Sequence, residues 1–213
     1  MPRRTKEEAQ ATRSALLDAA ERVFQRQGVA ASSLADIAAE AGTTRGAIYW
    51  HFQDKADLFN AMMDRVLLPM ETAIHQSAEA GPGDRLQRAR DALVQVLERT
   101  ASDERTQRVF EIATHKVEYV QGLASVRERH LAVRAACITD LQGALAGAAG
   151  ERGLGPDFDP CAAAQGLHAL VDGLIHNWIL DRGAFDLPRV GAMSIDALLA
   201  GVVGERGSPR SRG

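Results

Sequence analysis

Residues 33–55, Ser-Leu-Ala-Asp-Ile-Ala-Ala-Glu-Ala-Gly-Thr-Thr-Arg-Gly-Ala-Ile-Tyr-Trp-His-Phe-Gln-Asp-Lys, decide the fold of this 213-residue chain. Ser33 with Asp36 three positions later forms a capping box, which predicts that a helix begins here. Gly42 suits a tight turn after that helix, because glycine adopts positive φ without steric cost. A second short helix is expected over residues 45–51. Two short helices joined by a glycine turn are typical of a helix-turn-helix DNA-binding domain.

The second of these helices carries side chains that can contact DNA. Ala47 and Ile48 are apolar and are expected to face inward, which leaves Tyr49 and Trp50 on the open side. Two exposed aromatic residues side by side indicate a surface that a partner covers. Arg45 can form a bidentate pair with a guanine edge, while the Tyr49 hydroxyl and the His51 imidazole can donate to phosphates.

The flanking residues add further candidates. Thr43 or Thr44 can cap the helix, and Gly46 has no side chain to hold the backbone away from a groove. Lys55, in the first turn of the next helix, can join the free N–H groups there in binding a phosphate. The residues predicted to contact double-stranded DNA are Ser33, Thr43, Thr44, Arg45, Gly46, Tyr49, Trp50, His51 and Lys55. The alternative is a small helical core in which the aromatic pair is structural.

The remainder of the chain predicts an all-α fold of about nine helices. Only 5% of residues are aromatic, and no alternating apolar and polar runs of the kind found in strands are present. We expect a three-helix DNA-binding domain over residues 1–53, a helical ligand-binding and dimerisation domain over 54–206, and a disordered tail over 207–213. The later helices are predicted at 54–78, 84–100, 103–119, 125–149, 160–181 and 188–203.

Composition limits the classes of function. The net charge of −3 gives no general affinity for nucleic acid, although residues 1–55 hold 8 Lys and Arg against 7 Asp and Glu, compared with 17 against 21 in the remainder. Cys137 and Cys161 lack the spacing of metal ligands, so we expect no metal, no disulfide and no cofactor. No leader and no apolar stretch of membrane-spanning length are present, which favours a soluble cytoplasmic protein.

The last two helices are apolar over wider faces than a single neighbour would cover. This pattern predicts a homodimer in which each chain contributes its last two helices to a four-helix bundle. The alternative is one monomeric core.

The run Thr-Thr-Arg-Gly-Ala-Ile-Tyr-Trp-His-Phe-Gln-Asp-Lys-Ala-Asp-Leu-Phe, residues 43–59, resembles the signature of TetR-family transcriptional repressors. The basic start of the chain and Ala-Thr-Arg at 11–13 resemble the AcrR-like and TtgR-like branch, which controls multidrug efflux pumps. The resemblance places residues 44–51 on the recognition helix and Lys55 at a phosphate. It implies a dimeric repressor that binds a palindromic operator and is released by a small amphipathic or aromatic effector.

An effector needs a pocket, and polar residues within apolar helical patterns are the candidates for it. Asp172 and His176 lie one turn apart among apolar residues, and a buried Asp is costly unless it is paired. The TetR resemblance implies that His115, Cys137, Leu141, Val171 and Asp172 line the cavity. The full predicted set is Met63, Val66, Leu67, Met70, Phe110, His115, Glu118, Cys137, Leu141, Val171, Asp172 and His176. Ordinary core packing is the alternative for each of them.

The fourth helix offers Val66 and Leu67 where some relatives project a carboxylate, so neutral or weakly acidic amphipathic ligands are expected as readily as cationic ones. No catalytic constellation is present, and we do not expect an enzyme. A helical ligand-binding or protein-interaction module without sequence-specific DNA binding remains the alternative.

Overall fold

Helices form all the regular secondary structure in the residues that this computed structural model describes, which are 6–79, 84–117, 124–152 and 158–203. They are α1 (Lys6–Gln27), α2 (Leu34–Glu40), α3 (Arg45–His51), α4 (Lys55–Glu79), α5 (Arg85–Ser102), α6 (Glu104–His115), α7 (Ala124–Arg152), α8 (Pro160–Leu180) and α9 (Leu187–Val203). The predicted all-α fold is therefore confirmed. Glu118, the basic residues Arg3 and Arg4, and the tail 207–213 lie outside the described residues.

Local capping chemistry explains where the first helices begin and end. Gly28 and Gly42 adopt φ of 80° and 65°, as a helix C-terminus and a tight turn require. The predicted capping box is present, since the Ser33 side chain accepts from the Asp36 N–H and the Asp36 carboxylate accepts from the Ser33 N–H. Thr44 rather than Thr43 caps α3 through a 3.2 Å hydrogen bond from the Ala47 N–H.

Close packing divides the chain into two units, one of residues 1–70 and 102–133, the other of 71–101 and 134–213. By packing alone, α6 joins the first three helices because it contacts α1. The functional boundary expected after residue 53 remains a prediction.

The core of the first unit forms where α1, α2, α3 and α4 bring apolar side chains together. Its fully buried members include Leu16, Leu17, Phe24, Ile37, Ile48, Phe52, Leu58 and Met62. The rings of Phe24 and Phe59 lie 5.9 Å apart, and the Arg13 guanidinium lies 5.0 Å from the centre of the Phe52 ring. Each buried large side chain contributes about 1.5–3 kcal/mol.

The second unit is built on the pairing of α8 with α9. The Trp178 indole N–H donates to the Phe185 carbonyl at 3.2 Å, which ties the end of α8 to the turn that leads into α9. The Arg90 guanidinium makes a bidentate pair with Asp196, at 2.8 and 2.9 Å, and so joins α5 to α9. Within the described part of the chain, no helix combines the length and apolar character needed to cross a membrane.

The contact between α9 and α5 predicts a clear effect of substitution at Gly191. A Cβ at this position would lie 2.1 Å from Leu97 Cδ1, and Leu97 is fully buried. We expect Gly191→Ala to lower the free energy of unfolding by about 1–3 kcal/mol, measured by urea denaturation. Gly143→Ala in α7 is the matched control, because nothing lies within 4 Å of its added methyl group. The control should be neutral or stabilising through helix propensity; equal losses in both variants would contradict the packing argument.

A second prediction concerns pH and His75 on α4. Its ring lies 3.2 Å from the Asp140 carboxylate and 3.3 Å from Glu79, and the hydrogen bond with Asp140, followed by the charge of Glu79, raises the pKa of His75. A pKa raised on folding gives stability that is fully present below the unfolded pKa and is lost as pH rises through the folded pKa. The Tm difference between wild type and His75→Gln should therefore be larger at about pH 5.5 than at about pH 8.5. Asp140→Asn should reproduce this dependence, and a difference independent of pH would refute it.

Candidate functional site

The outer surface of α3 presents polar and aromatic side chains above two buried anchors. Ile48 and Phe52 are buried, whereas Trp50 is 88% exposed and Tyr49 is 50% exposed. Arg45 is also exposed. The exposure of Tyr49 and Trp50 and the burial of Ile48 are as the sequence predicts, whereas Ala47, also predicted to face inward, is half-buried. A seven-residue helix with this outer surface has the dimensions to enter a major groove.

Neighbouring groups orient the side chains of this surface. The Arg45 guanidinium lies 5.9 Å from the centre of the Tyr49 ring, one turn further along α3, at the outer limit of a cation–π contact. Gly46 is exposed, and an added Cβ would approach only the Thr44 hydroxyl, at 3.9 Å. The His51 ring is half-buried, 6.4 Å from the ring of Phe52. Arg45, Gly46, Tyr49 and Trp50 thus form one outward surface, with His51 at its edge.

The ammonium of Lys55, which was predicted to bind a phosphate, lies against backbone carbonyl groups in this structure. Its Nζ donates to the carbonyl oxygens of Val29, Ser32 and Ala30, at 2.6, 2.8 and 3.0 Å. Burial lowers the pKa of this lysine. The loop between α1 and α2 supplies three convergent acceptors, which the spacing within the sequence does not reveal. The phosphate contact of Lys55 remains a prediction.

The side chains of Ser33 and Thr44 serve as helix caps in this structure. Ser33 Oγ exchanges hydrogen bonds with Asp36, and Thr44 Oγ1 accepts from the Ala47 N–H. Thr43 is half-buried and its N–H donates to the Ala38 carbonyl. Their predicted DNA contacts remain predictions.

A buried carboxylate that sequence reasoning missed joins α1 to α4 and α6. Glu21 is only 2% exposed, and its oxygens lie 3.5 Å from Arg65, 3.2 Å from Arg105 and 3.7 Å from Arg108. Burial raises the pKa of Glu21 in spite of these three guanidinium groups, which act in the opposite direction. The sequence feature that could have revealed the burial of Glu21 is its position in the apolar stripe of α1, four residues after Leu17 and three before Phe24.

A second set of ion pairs joins α1 to α2. The Glu40 carboxylate accepts from Arg22 and Arg26, each at 2.7 Å, and these hydrogen bonds, with that of Arg26 the larger, lower the pKa of Glu40. The groups are largely solvent-exposed, so their contribution to stability is small. They join α1 to α2 at the surface of the unit.

A cleft in the first unit lies among α4, α6 and α7. Its lining is Phe59, Asn60, Met63, Leu67, Ala113, Val117, Val126, Arg129, His130 and Val133. The cavity volume is about 30 Å³, which holds one or two water molecules. Arg129 at its rim pairs with Asp64, with donor–acceptor distances of 2.9 and 3.1 Å. The cleft therefore has apolar walls and a few polar groups, the usual composition of a small-molecule site, but a larger ligand would have to widen it.

The structure brings two of the predicted effector residues to this cleft, Met63 and Leu67. Val66 and Met70 are buried nearby on α4. On α6, Phe110 is half-buried and His115 is exposed. The sequence feature that could have indicated this cleft is Asn60, because it interrupts the apolar run of residues 58–63. Arg129 lies within a polar run and gave no such signal.

The predicted effector residues of the second unit divide between interior and surface. Leu141 and Val171 are buried, and Cys137 is half-buried. Burial, with the charges of Asp140 and Glu71, raises the pKa of the Cys137 thiol to about 11, so it is a weak nucleophile.

The expectation that Asp172 and His176 are buried is wrong for the single chain, because both are exposed. The buried stripe of α8 runs through Ala164, Leu167, Val171 and Trp178. Asp172 follows Val171 by one residue and so points about 100° away from that stripe.

The exposed face of α8 that carries Asp172 and His176 also carries small and apolar residues. Its members recur every three or four residues, namely Ala162, Gln165, Ala169, Asp172, His176 and Leu180. On α9, Met193, Ala197 and Ala200 are likewise exposed. Exposed Leu and Met side chains beside alanines fit the predicted homodimer contact through the last two helices.

The described residues contain no cluster of His, Cys, Asp and Glu that could hold a metal ion.

Comparison with known families and proteins gives a consistent result along the chain. The family profile "Bacterial regulatory proteins, tetR family" matches residues 16–62, and the profile "MAATS-type transcriptional repressor, C-terminal region" matches residues 84–202. The chain is 41% identical over 187 residues to the HTH-type transcriptional regulator TtgR of Pseudomonas putida, covering 88% of this chain and 89% of that protein.

Two solved structures are similar over nearly the full length. The crystal structure of NalD, the secondary repressor of the MexAB-OprM multidrug efflux pump in Pseudomonas aeruginosa, superposes with a TM-score of 0.83 at 33% identity, covering 94% of this chain and 100% of that one. The complex of SmeT with triclosan superposes with a TM-score of 0.80 at 32% identity, covering 90% and 91%. SmeT is the repressor of the Stenotrophomonas maltophilia multidrug efflux pump SmeDEF.

Proposed function

We infer the function of this chain from its family, because it belongs to the tetR family of bacterial regulatory proteins. It is a ligand-responsive transcriptional repressor that binds a palindromic operator as a dimer and controls a multidrug efflux operon. The observation that carries this function is the surface of α3, where Arg45, Tyr49 and Trp50 are exposed above the buried Ile48 and Phe52. The alternative, a helical ligand-binding or protein-interaction module without sequence-specific DNA binding, is not favoured.

The relatives are regulators of transcription rather than enzymes. We propose that this chain has no catalytic role and acts in the cytoplasm, where a bacterial operator is found. We also propose that Arg45 contacts a base edge and that Tyr49, Trp50 and His51 contact the DNA backbone, with Ser33, Thr43, Thr44 and Gly46 close to it.

In a dimer, the second chain contributes a second α3 helix to DNA binding. The exposed faces of α8 and α9 supply the contact, and two α3 helices then read half-sites roughly one helical turn, ~34 Å, apart. Asp172 and His176 belong to the dimer face in this proposal, Leu141 and Val171 belong to the packed interior of the second unit, and Cys137 lies half-buried at its edge.

We propose that the cleft among α4, α6 and α7 takes part in effector binding. Its apolar walls and the polar groups of Asn60, Arg129 and His130 suit an amphipathic or aromatic molecule. The effector must widen the cleft, since it holds only about 30 Å³. Effector binding then favours a conformation that fits the operator less well, by a coupling of about 1–3 kcal/mol, or 5–150-fold in affinity.

The DNA-binding assignment predicts the behaviour of Arg45→Ala. A duplex that the purified protein selects from a random pool should contain an inverted repeat, and Arg45→Ala should bind this duplex with a free energy weakened by about 1–3 kcal/mol. Fluorescence anisotropy measures the affinity, and thermal melting checks that folding is intact. Arg99→Ala, which removes one exposed charge from α5, is the control and should bind like wild type. Selection of no duplex by the wild-type protein would refute the proposed function.

The effector proposal predicts the behaviour of Val133→Trp. A large side chain at this position of the cleft should leave operator binding intact and abolish the release of the selected duplex by triclosan, which wild type should show. Ala132→Trp is the matched control, because Ala132 precedes Val133 on α7 but is exposed and does not line the cleft. If triclosan releases Val133→Trp and wild type at the same concentration, the cleft is not the effector site.

A further inference from the structure

The loop between α1 and α2 is fastened to the start of α4 by a single ammonium group. Lys55 Nζ lies within hydrogen-bond distance of three carbonyl oxygens of this loop, those of Val29, Ala30 and Ser32. A lysine ammonium has three N–H donors and no acceptor. All three donors are therefore used within the protein.

Ser32 strengthens the same arrangement. Its hydroxyl is buried and donates to the Val29 carbonyl at 2.8 Å, so that this carbonyl accepts from both Ser32 and Lys55. A phosphate could take up the ammonium only by breaking one or more of these short hydrogen bonds. Release from the Ser32 carbonyl would leave that partly buried oxygen without this donor, which is unfavourable.

The loop is held on its other side by α6. The Val29 N–H donates to the Lys116 carbonyl at 3.0 Å, directly after Gly28 turns the chain with φ of 80°. Ser33 follows the loop and caps α2, and α2 packs on α3. The position of the loop therefore sets where the helix-turn-helix pair begins.

We propose that Lys55 acts in operator binding as a positioning residue, which fixes the loop of residues 28–32 and thereby the orientation of α2 and α3, and not as a phosphate contact. This inference rests on the proposed function, since it concerns binding of the operator. A phosphate contact and a positioning residue differ in three measurable ways: dependence on salt, dependence on DNA sequence, and tolerance of arginine.

Salt and sequence dependence test the first two differences. The affinities of wild type and Lys55→Met are measured for the selected duplex and for a scrambled duplex of equal length between low and moderate salt. If Lys55 is a positioning residue, Lys55→Met leaves unchanged the slope of the logarithm of affinity against the logarithm of salt concentration. It lowers the affinity for the selected duplex by about tenfold, the effect of one charge-assisted hydrogen bond. The affinity for the scrambled duplex changes little. A phosphate contact instead lowers both affinities alike and reduces the slope by about 0.9.

Arginine and serine variants give the third difference and its control. A guanidinium binds phosphate at least as well as an ammonium does, but its planar fork does not match three convergent carbonyls. Lys55→Arg should therefore lose affinity for the selected duplex as Lys55→Met does. Ser32→Ala removes a hydrogen bond from the same loop without changing charge, and it should lower the affinity ratio of the selected to the scrambled duplex in the same direction.

Hydrogen exchange of the free protein separates this inference from the function on which it rests. In Lys55→Met the Val29 amide should exchange faster than in wild type, whereas amides in the middle of α8 should not change. Binding is measured well below the Tm of each variant, so that global unfolding does not contribute. A reduced salt slope, rescue by Lys55→Arg, or unchanged exchange at Val29 would each overturn the positioning role, even if wild type binds its duplex normally.

Discussion

A seven-residue helix has too few hydrogen bonds to persist alone in water, and α3 therefore depends on its tertiary anchors. Ile48 and Phe52 supply them by full burial, and the Thr44 hydroxyl caps the free N-terminus. Because the anchors occupy one side of the helix, the opposite side needs no contact with the protein. The exposed Arg45, Tyr49 and Trp50 follow from this arrangement, and so does the ability to bind DNA.

Much of the fold could be predicted because its signals are local. The capping box of Ser33, the positive φ of Gly28 and Gly42, and the apolar spacing along α1 each involve residues within one or two helical turns. The partners of Lys55 and Glu21 could not be predicted in this way, since they lie 23 or more residues away along the chain. The burial of Asp172 was misjudged for a related reason: apolar neighbours in sequence were weighed more heavily than the angle between successive residues on a helix.

The cleft among α4, α6 and α7 shows the same difference between local and distant signals. Of the residues of α4 that the sequence predicts to bind the effector, Met63 and Leu67 line the cleft. Phe59 and Asn60 of the lining also lie on α4, and the remaining residues come from α6, from Val117 beyond it and from the start of α7. Only packing brings these segments together.

The two tryptophans occupy opposite environments, and this gives the protein two built-in optical reporters. Trp50 is 88% exposed on the DNA-binding surface, so its emission should be red-shifted and open to quenching by acrylamide or by nucleobases. Trp178 is 7% exposed and its indole N–H is bonded to the Phe185 carbonyl, so its emission should be blue-shifted and protected. Changes at the DNA-binding surface of α3 and changes within the α8–α9 pair can therefore be followed separately by emission wavelength, without any attached label.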